Sequence, residues 1–443
     1  MKTFKIGGVH PEENKLSAGK PIEVFPIPQK VYIPLSQSLG APSKPVVKKG
    51  DVVKVGQMIA QGEGFISSNI HSSVSGTVVK VEDYPGAGGY RSPAIFIDVE
   101  GDEWEESIDR TEALNKECAL SPEEIVGRLK SFGIVGLGGA TFPSHVKLMV
   151  PAGKKPEFLI INGVECEPYL TSDHRLMMEH GEELMVGISI LMKGLGVTKA
   201  FIGIENNKPD AIGHLSKLAS SWPGIEVHPL KVKYPQGGEK QLIKALVNRE
   251  VPSGKLPIEV GCVVNNVGTA FAVYEAVQKN KPLFERVVTV TGKSIPTPGN
   301  FMVRIGTLVS ALLVHSGFSA EDGLKVIGGG PMMGKALTNL DVPVVKGTSG
   351  ILVMPASESK RMAEQSCIRC SRCTTVCPMG LEPFQLATES ERAFYELAEK
   401  DRILDCIECG SCHYTCPSGR HLLDHIRVGK AAVAKLIRAR AAK

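Results

Sequence analysis

The sequence predicts a multidomain α/β protein with an α-helical, metal-ligating C-terminal part. Its 443 residues are too many for one compact core. Between about 115 and 283, apolar strand-like runs alternate with helical segments, the pattern of a largely parallel sheet. Eight of the 11 cysteines lie between Cys367 and Cys416.

Residues 1–110 are rich in Gly, Pro, Val and Ile, and Val46–Val53 and Gly76–Val81 read as short strands. The phrase KKGDVVKVGQMIAQGEG followed by SSVSGTVVKVED resembles biotinyl/lipoyl-type barrel-sandwich modules. Those modules carry a modified lysine on a hairpin, but Phe65–Ile70 contains none. The resemblance implies a barrel-sandwich hybrid fold and not a swinging-arm carrier.

Over 115–283, Ser121-Pro122-Glu123-Glu124 is a helix start: Ser121 caps, Pro122 suits the first turn and Glu124 completes a capping box. Strands are expected at Phe158–Ile161, Ala200–Ile204, Ile225–Val232 and Val260–Val264. Helices are expected at 175–193, 208–220, 239–248 and after Thr269. This is a Rossmann-like arrangement.

In 284–345, a strand at Val287–Gly292, a turn at Pro298-Gly299-Asn300, a helix at Leu308–Gly317 and a strand at Leu324–Ile327 make a small α+β unit. It resembles the soluble-ligand-binding β-grasp (SLBB-type) module of redox proteins. A helical ferredoxin domain is expected over 358–426, with an amphipathic helix at Met379–Asp405, then a basic tail at 427–443.

Hydrophobic content of 42%, charged content of 22% and a formal charge of +4 are those of an ordinary globular chain, and argue against nucleic acid as a partner. The longest apolar stretch, Leu184–Leu195, is interrupted by Gly187, Lys193 and Gly194 and falls short of the roughly 18–20 residues that span a bilayer. Met1–His10 lacks an apolar signal region. The expectation is a cytosolic protein, or one held to a membrane from the cytosolic side.

Cys367-x2-Cys370-x2-Cys373-x3-Cys377-Pro378 is a complete ferredoxin-type run, and Cys406-x2-Cys409-x2-Cys412-x3-Cys416-Pro417 is a second. Three thiolates of one run converge on a cubane, while the fourth cysteine ligates the other cluster. The expected sets for two [4Fe–4S] clusters are therefore Cys367, Cys370, Cys373 and Cys416, and Cys406, Cys409, Cys412 and Cys377. Zinc sites pair two C-x2-C knuckles and do not require this doubled run. Cys118, Cys166 and Cys262 have no close partner in sequence and read as ordinary thiols.

Gly133-Ile-Val-Gly136-Leu-Gly138-Gly139-Ala-Thr141-Phe-Pro143 follows the capped helix. Small residues there let backbone amides approach phosphate oxygens, although tight helix–loop packing would use the same residues. Strand 158–161 ends at Asn162-Gly-Val-Glu165-Cys-Glu167-Pro168, and strand 260–264 at Asn265-Asn266-Val-Gly-Thr269. Gly237-Gly238-Glu239 precedes another helix. These segments converge on the sheet edge where α/β proteins bind ligands.

Gly136–Lys147, Asn162–Pro168, Gly237–Glu239 and Asn265–Thr269 resemble four signatures of the flavin- and NADH-binding subunit of respiratory complex I. With the flanking modules, nearly the whole chain resembles the RnfC family, whose members belong to the Rnf electron-transport complex. The resemblance implies electron transfer between NADH, FMN and two [4Fe–4S] clusters, in a membrane-bound complex that couples ferredoxin–NAD electron transfer to ion movement. It implies membrane-embedded and ferredoxin-like partner subunits, ferredoxin as an indirect partner, and a peripheral place on the cytoplasmic face.

By matching positions, Gly136, Gly138, Gly139 and Lys147 belong to the loop contacting flavin phosphate or nucleotide. Asn162, Glu165 and Glu167 line the flavin and nicotinamide pocket, with Gly237, Gly238 and Glu239 beside them, and Asn265 and Asn266 hold the phosphate end of FMN. The complex I pattern has arginine at Leu137, glycine at Thr141 and an acidic residue at Val164, so this pocket departs from it at three positions. The chemistry agrees: nicotinamide gives two electrons as hydride, a cluster takes one, and a flavin converts between them. A soluble reductase feeding a corrinoid, or a cluster-only electron wire, are the competing functions.

Overall fold

Phe158–Asn162, Ala200–Glu205, Ile225–Leu230 and Cys262–Asn266 form one four-stranded sheet, in the spatial order 225, 200, 158, 262, with every pair parallel. Alternation decides its two faces. Leu159 and Ile161 pack with Leu184, Ile188 and Val267 on one side, and Ile160 with Leu230, Leu242 and Leu246 on the other. Both faces are thus dry, as a parallel sheet requires. The computed structural model describes residues 1–320 and 323–441.

Helix Pro122–Ser131 begins with the expected reciprocal capping box of Ser121 and Glu124. The helix expected over 175–193 is two helices, Ser172–Glu179 and Gly181–Leu195. His180 leaves helical geometry there, and any side chain on Gly181 would strike the His214 ring, so the second helix starts against Pro209–Ala219. The helix expected after Thr269 starts earlier, at Val267, because Asn266 caps it by accepting the Gly268 N–H at 2.8 Å. Val260 closes a short 3-10 turn and is not part of the fourth strand.

The barrel-sandwich part packs Val31, Ile33, Ile59, Ile95 and Ile97 between strands Lys30–Pro34, Val52–Val53, Gly76–Pro85 and Arg91–Val99 and the smaller sheet Lys44–Pro45, Met58–Gln61, Ile70–His71. Only Val52–Val53 of the expected strand Val46–Val53 is a strand, because Lys49-Gly50 turns, with Gly50 at φ +92°.

The β-grasp sheet has six strands and reaches beyond the expected bounds 284–345. Ile22–Val24 pairs in parallel with Gly299–Arg304, and Gly350–Met354 pairs with Glu285–Thr291 and Lys325–Gly328. The expected turn at Pro298–Asn300 is corrected likewise: Gly299 and Asn300 lie in a strand. Asn300 sits there fully buried, its amide donating to the Ser17 carbonyl.

Met379–Asp405 is not one amphipathic helix but Pro383–Glu391 and Tyr395–Lys400, broken where Ala393 takes φ +58°. The basic tail is also not a tail. It is the end of helix Leu422–Ala441, whose Leu422, Ile426 and Val433 pack on Leu386, Ala398 and Ile403.

Residues 2–24 stay outside the barrel and form a strap across the other bodies. Lys2 bridges to Leu230, Val9 to Tyr234, and the Gly8 N–H donates to the Val376 carbonyl at 2.8 Å. Lys346 joins three bodies: its buried ammonium donates to Ser68 Oγ and to the carbonyls of Asn69 and Gly133.

Candidate flavin and iron–sulfur sites

The four polar segments meet at the C-terminal edge of the parallel sheet. The Asn162 amide donates to the Gly237 carbonyl at 2.9 Å, and the Asn266 amide to the Asn162 carbonyl at 3.3 Å. A Cβ on Gly138 would lie 2.7 Å from the Asn266 amide, so only glycine permits this approach. Around Gly139 there is open space. Among the described residues, no backbone acceptor takes the N–H groups of Gly138, Gly139 or Ala140. The amide Nδ2 of buried Asn265 also has no hydrogen-bond partner. Free backbone donors, an orphaned amide and a capped helix start are what a phosphate-bearing cofactor needs, so these residues fit FMN.

The departures at Leu137, Thr141 and Val164 each have a structural consequence. Thr141 takes φ +54°, the left-handed conformation a glycine adopts freely, so the backbone is kept despite the β-branched side chain. Leu137 is buried, its N–H held by Thr269 Oγ1, and the guanidinium of Arg286 donates to its carbonyl. Val164 is fully buried and its carbonyl accepts from the Lys208 ammonium.

Other expected residues are engaged with protein groups. Lys147 donates to the Val264 carbonyl at 2.7 Å and lies 3.6 Å from Glu239. The Glu165 carboxylate accepts the N–H groups of Asp173 and His174 and so caps helix Ser172–Glu179. Glu167 accepts the N–H groups of Met332 and Met333 from the β-grasp module. Burial pushes the Glu167 carboxyl up to about 7, against the pull of those two N–H groups and of Lys15. Gly238 opens helix Glu239–Val247, and the Gly237 N–H points to Cys166 Sγ at 3.4 Å.

Lys15, Cys166, Asp173, Lys208 and Tyr234 also pack into this edge and were not singled out from the sequence. Burial and the neighbouring Glu165 raise the Asp173 carboxyl to about 7, and Asp173 accepts from the Asn266 amide at 2.6 Å. A polar run before a helix marks Asp173 and Lys208 only weakly. Nothing local marks Lys15, which arrives from the strap.

The cysteines divide into two environments. Cys377, Cys409 and Cys412 are buried with Cys406 beside them, whereas Cys367 and Cys370 are exposed. Burial pushes the Cys406 thiol up to about 11. It also raises Cys412, to which the neighbouring sulfurs of Cys406, Cys409 and Cys377 add. Cys373 is raised by burial and by its neighbour Cys416. The fourth cysteine of each run thus neighbours the other run. Among the described residues no three such ligands close on a single-ion position. A cubane does not ask for that, since each thiolate binds its own iron. Crowded, desolvated thiols with no nearby cation to offset them fit clusters that supply positive charge.

The inner set lies against the flavin edge. The Tyr234 hydroxyl donates to the Cys409 carbonyl at 2.8 Å, and Cys166, Val9 and Met332 pack in the same cluster.

Comparisons with known proteins agree with this division. The Nuo51 FMN-binding domain matches residues 129–275, and the RnfC barrel sandwich hybrid domain matches residues 2–102. An SLBB domain matches 287–336 and a 4Fe-4S dicluster domain 360–417. A crystal structure of an NAD+-reducing [NiFe]-hydrogenase in the H2-reduced state shares the fold, with a TM-score of 0.50 and 19% identity over 71% of this chain and 63% of that one. The chain is 49% identical to the RnfC subunit of the proton-translocating ferredoxin:NAD(+) oxidoreductase complex of Clostridium ljungdahlii, covering 97% of this chain and 94% of that protein. It is 45% identical to the RnfC subunit of the Na(+)-translocating complex of Acetobacterium woodii, covering 97% of each. The chain therefore belongs to the RnfC family, the family of these subunits of ion-translocating ferredoxin:NAD(+) oxidoreductase complexes.

Proposed function

We propose that this chain is the NADH-linked electron-transfer subunit of an ion-translocating ferredoxin:NAD(+) oxidoreductase complex. The observation that carries the reading is one sheet edge with free phosphate-binding donors lying directly against a buried set of four cysteines. FMN bound there supplies the exchange between a two-electron hydride and the single electrons that clusters accept. Gly138, Gly139 and Asn265 offer its phosphate end backbone and amide donors, and Asn162, Asn266 and Gly237 fix the floor of the pocket.

Cys406, Cys409, Cys412 and Cys377 hold the inner cluster, and Cys367, Cys370, Cys373 and Cys416 the outer one. Residues 361–372 are exposed throughout, so the outer set is the one a partner subunit can approach. No helix of the described residues is long and apolar enough to cross a membrane. The chain is accordingly a peripheral subunit that meets membrane-embedded and ferredoxin-like partners at the cytoplasmic face. A cluster-only wire would have no use for the free donors at Gly138 and Asn265.

The test is anaerobic purification with iron, sulfide and flavin analysis, followed by NADH titration watched by absorbance and EPR. About eight irons, one FMN and clusters reduced by NADH are expected. The same iron without flavin or response to NADH would leave a wire and sink the reading.

A further inference from the structure

The strap that precedes the barrel carries a lysine into the flavin edge. Lys15 Nζ donates to the carbonyls of Glu165 at 2.9 Å, Glu167 at 2.8 Å and Leu170 at 2.7 Å. An ammonium has three donors, and all are used on one short loop. Neighbouring strap residues grip the same loop: the Tyr169 N–H donates to the Glu13 carbonyl at 2.8 Å, and Ser17 Oγ lies 2.6 Å from Thr171 Oγ1.

That loop does not hold its shape by local preference. Glu165 and Tyr169 take φ +47° and +70°, conformations that side-chain-bearing residues avoid. Such residues persist only where the surroundings over-determine them. The loop's own two carboxylates are committed outward, Glu165 to helix Ser172–Glu179 and Glu167 to Met332 and Met333. Lys15 alone gathers carbonyls from both of its ends.

We propose that Lys15 is a positioning residue: it gathers the Glu165–Leu170 loop into its strained form, so that flavin binding depends on a strap remote in sequence. The proposal rests on the flavin reading of this edge. A cation aimed at main-chain carbonyls fixes backbone shape whatever the side chains do, which explains why a charged donor is spent on this loop.

The test uses the full chain, purified anaerobically with its clusters, as wild type, Lys15→Met and Lys15→Gln. Lys15→Gln keeps a neutral donor and holds the comparison if Lys15→Met does not fold. Amide exchange of the 163–171 segment without added flavin is expected to run about tenfold or more faster in Lys15→Met, with Lys15→Gln in between. Affinity for added FMN, read by flavin fluorescence, is expected to weaken about tenfold while iron content stays at the wild-type level. Unchanged exchange overturns the proposal, and so does faster exchange with unaltered FMN affinity. If the wild type takes up no FMN although exchange accelerates in the variants, the positioning role stands and the flavin reading fails.

Discussion

At the scale of single residues, the two cysteine runs make the sharpest expectation. Cys370 and Cys377 belong to the same run, yet Cys377 is buried near Cys406, Cys409 and Cys412 and Cys370 is exposed. Cys370→Ser should therefore damage the outer cluster and Cys377→Ser the inner one, resolved as losses of different EPR signals. Loss of the same signal from both variants would refute the crossed ligand sets. His71 gives a pH dependence. Burial, with the Lys346 ammonium beside it, lowers its imidazole from 6.5 to about 3. A histidine kept neutral in the fold but titrating near 6.5 when unfolded contributes stability that is present above pH 6.5 and lost as pH falls. From pH 7.5 to 5, about 2 kcal/mol should be lost on this account. Urea midpoints measured across that range should show it, and His71→Phe should flatten the slope.

At the scale of elements, legibility followed local chemistry. The capping box at Ser121 and the four parallel strands could be read directly, because side-chain oxygens and alternating apolar residues act within a few positions. The breaks at His180 and Ala393 could not, since a close approach to a distant helix and a left-handed residue set them. Helix Leu422–Ala441 looked like a charged tail because its basic residues dominate the pattern. In the fold Lys430 donates to the Cys406 carbonyl at 2.6 Å and to Glu408 at 2.9 Å, so the helix braces the inner cysteines. Gly429 lies against Ser390, where any Cβ would run into the serine hydroxyl. Gly429→Val should destabilise the chain by roughly 1–3 kcal/mol, with lower iron retention on thermal challenge than the wild type.

At the scale of the whole molecule, the strap is the connection between the flavin edge and the cluster domain. Gly7 takes φ +69° and its Cβ position lies 2.5 Å from the Cys377 carbonyl. Gly7→Val should push strap and cluster loop apart. In stopped-flow reduction by NADH, the cluster phase should slow relative to the flavin phase, with both cofactors still present. Equal rates in variant and wild type would mean that the strap does not set this spacing.

The sequence by itself determined the cluster ligands, the parallel sheet and the segments that share its edge. Cysteine spacing and strand periodicity are local properties that a thiolate or an apolar face enforces on its own. The resemblance over nearly the full chain led to the family. Only the tertiary structure decided what those segments do to one another. It put an orphaned amide on Asn265, engaged Glu165 and Glu167 with protein N–H groups, and ranked the cysteine sets as inner and outer. It also delivered Lys15 and Gly7 from the far end of the chain. Those facts depend on desolvation and on contacts between residues hundreds of positions apart, which no local pattern encodes.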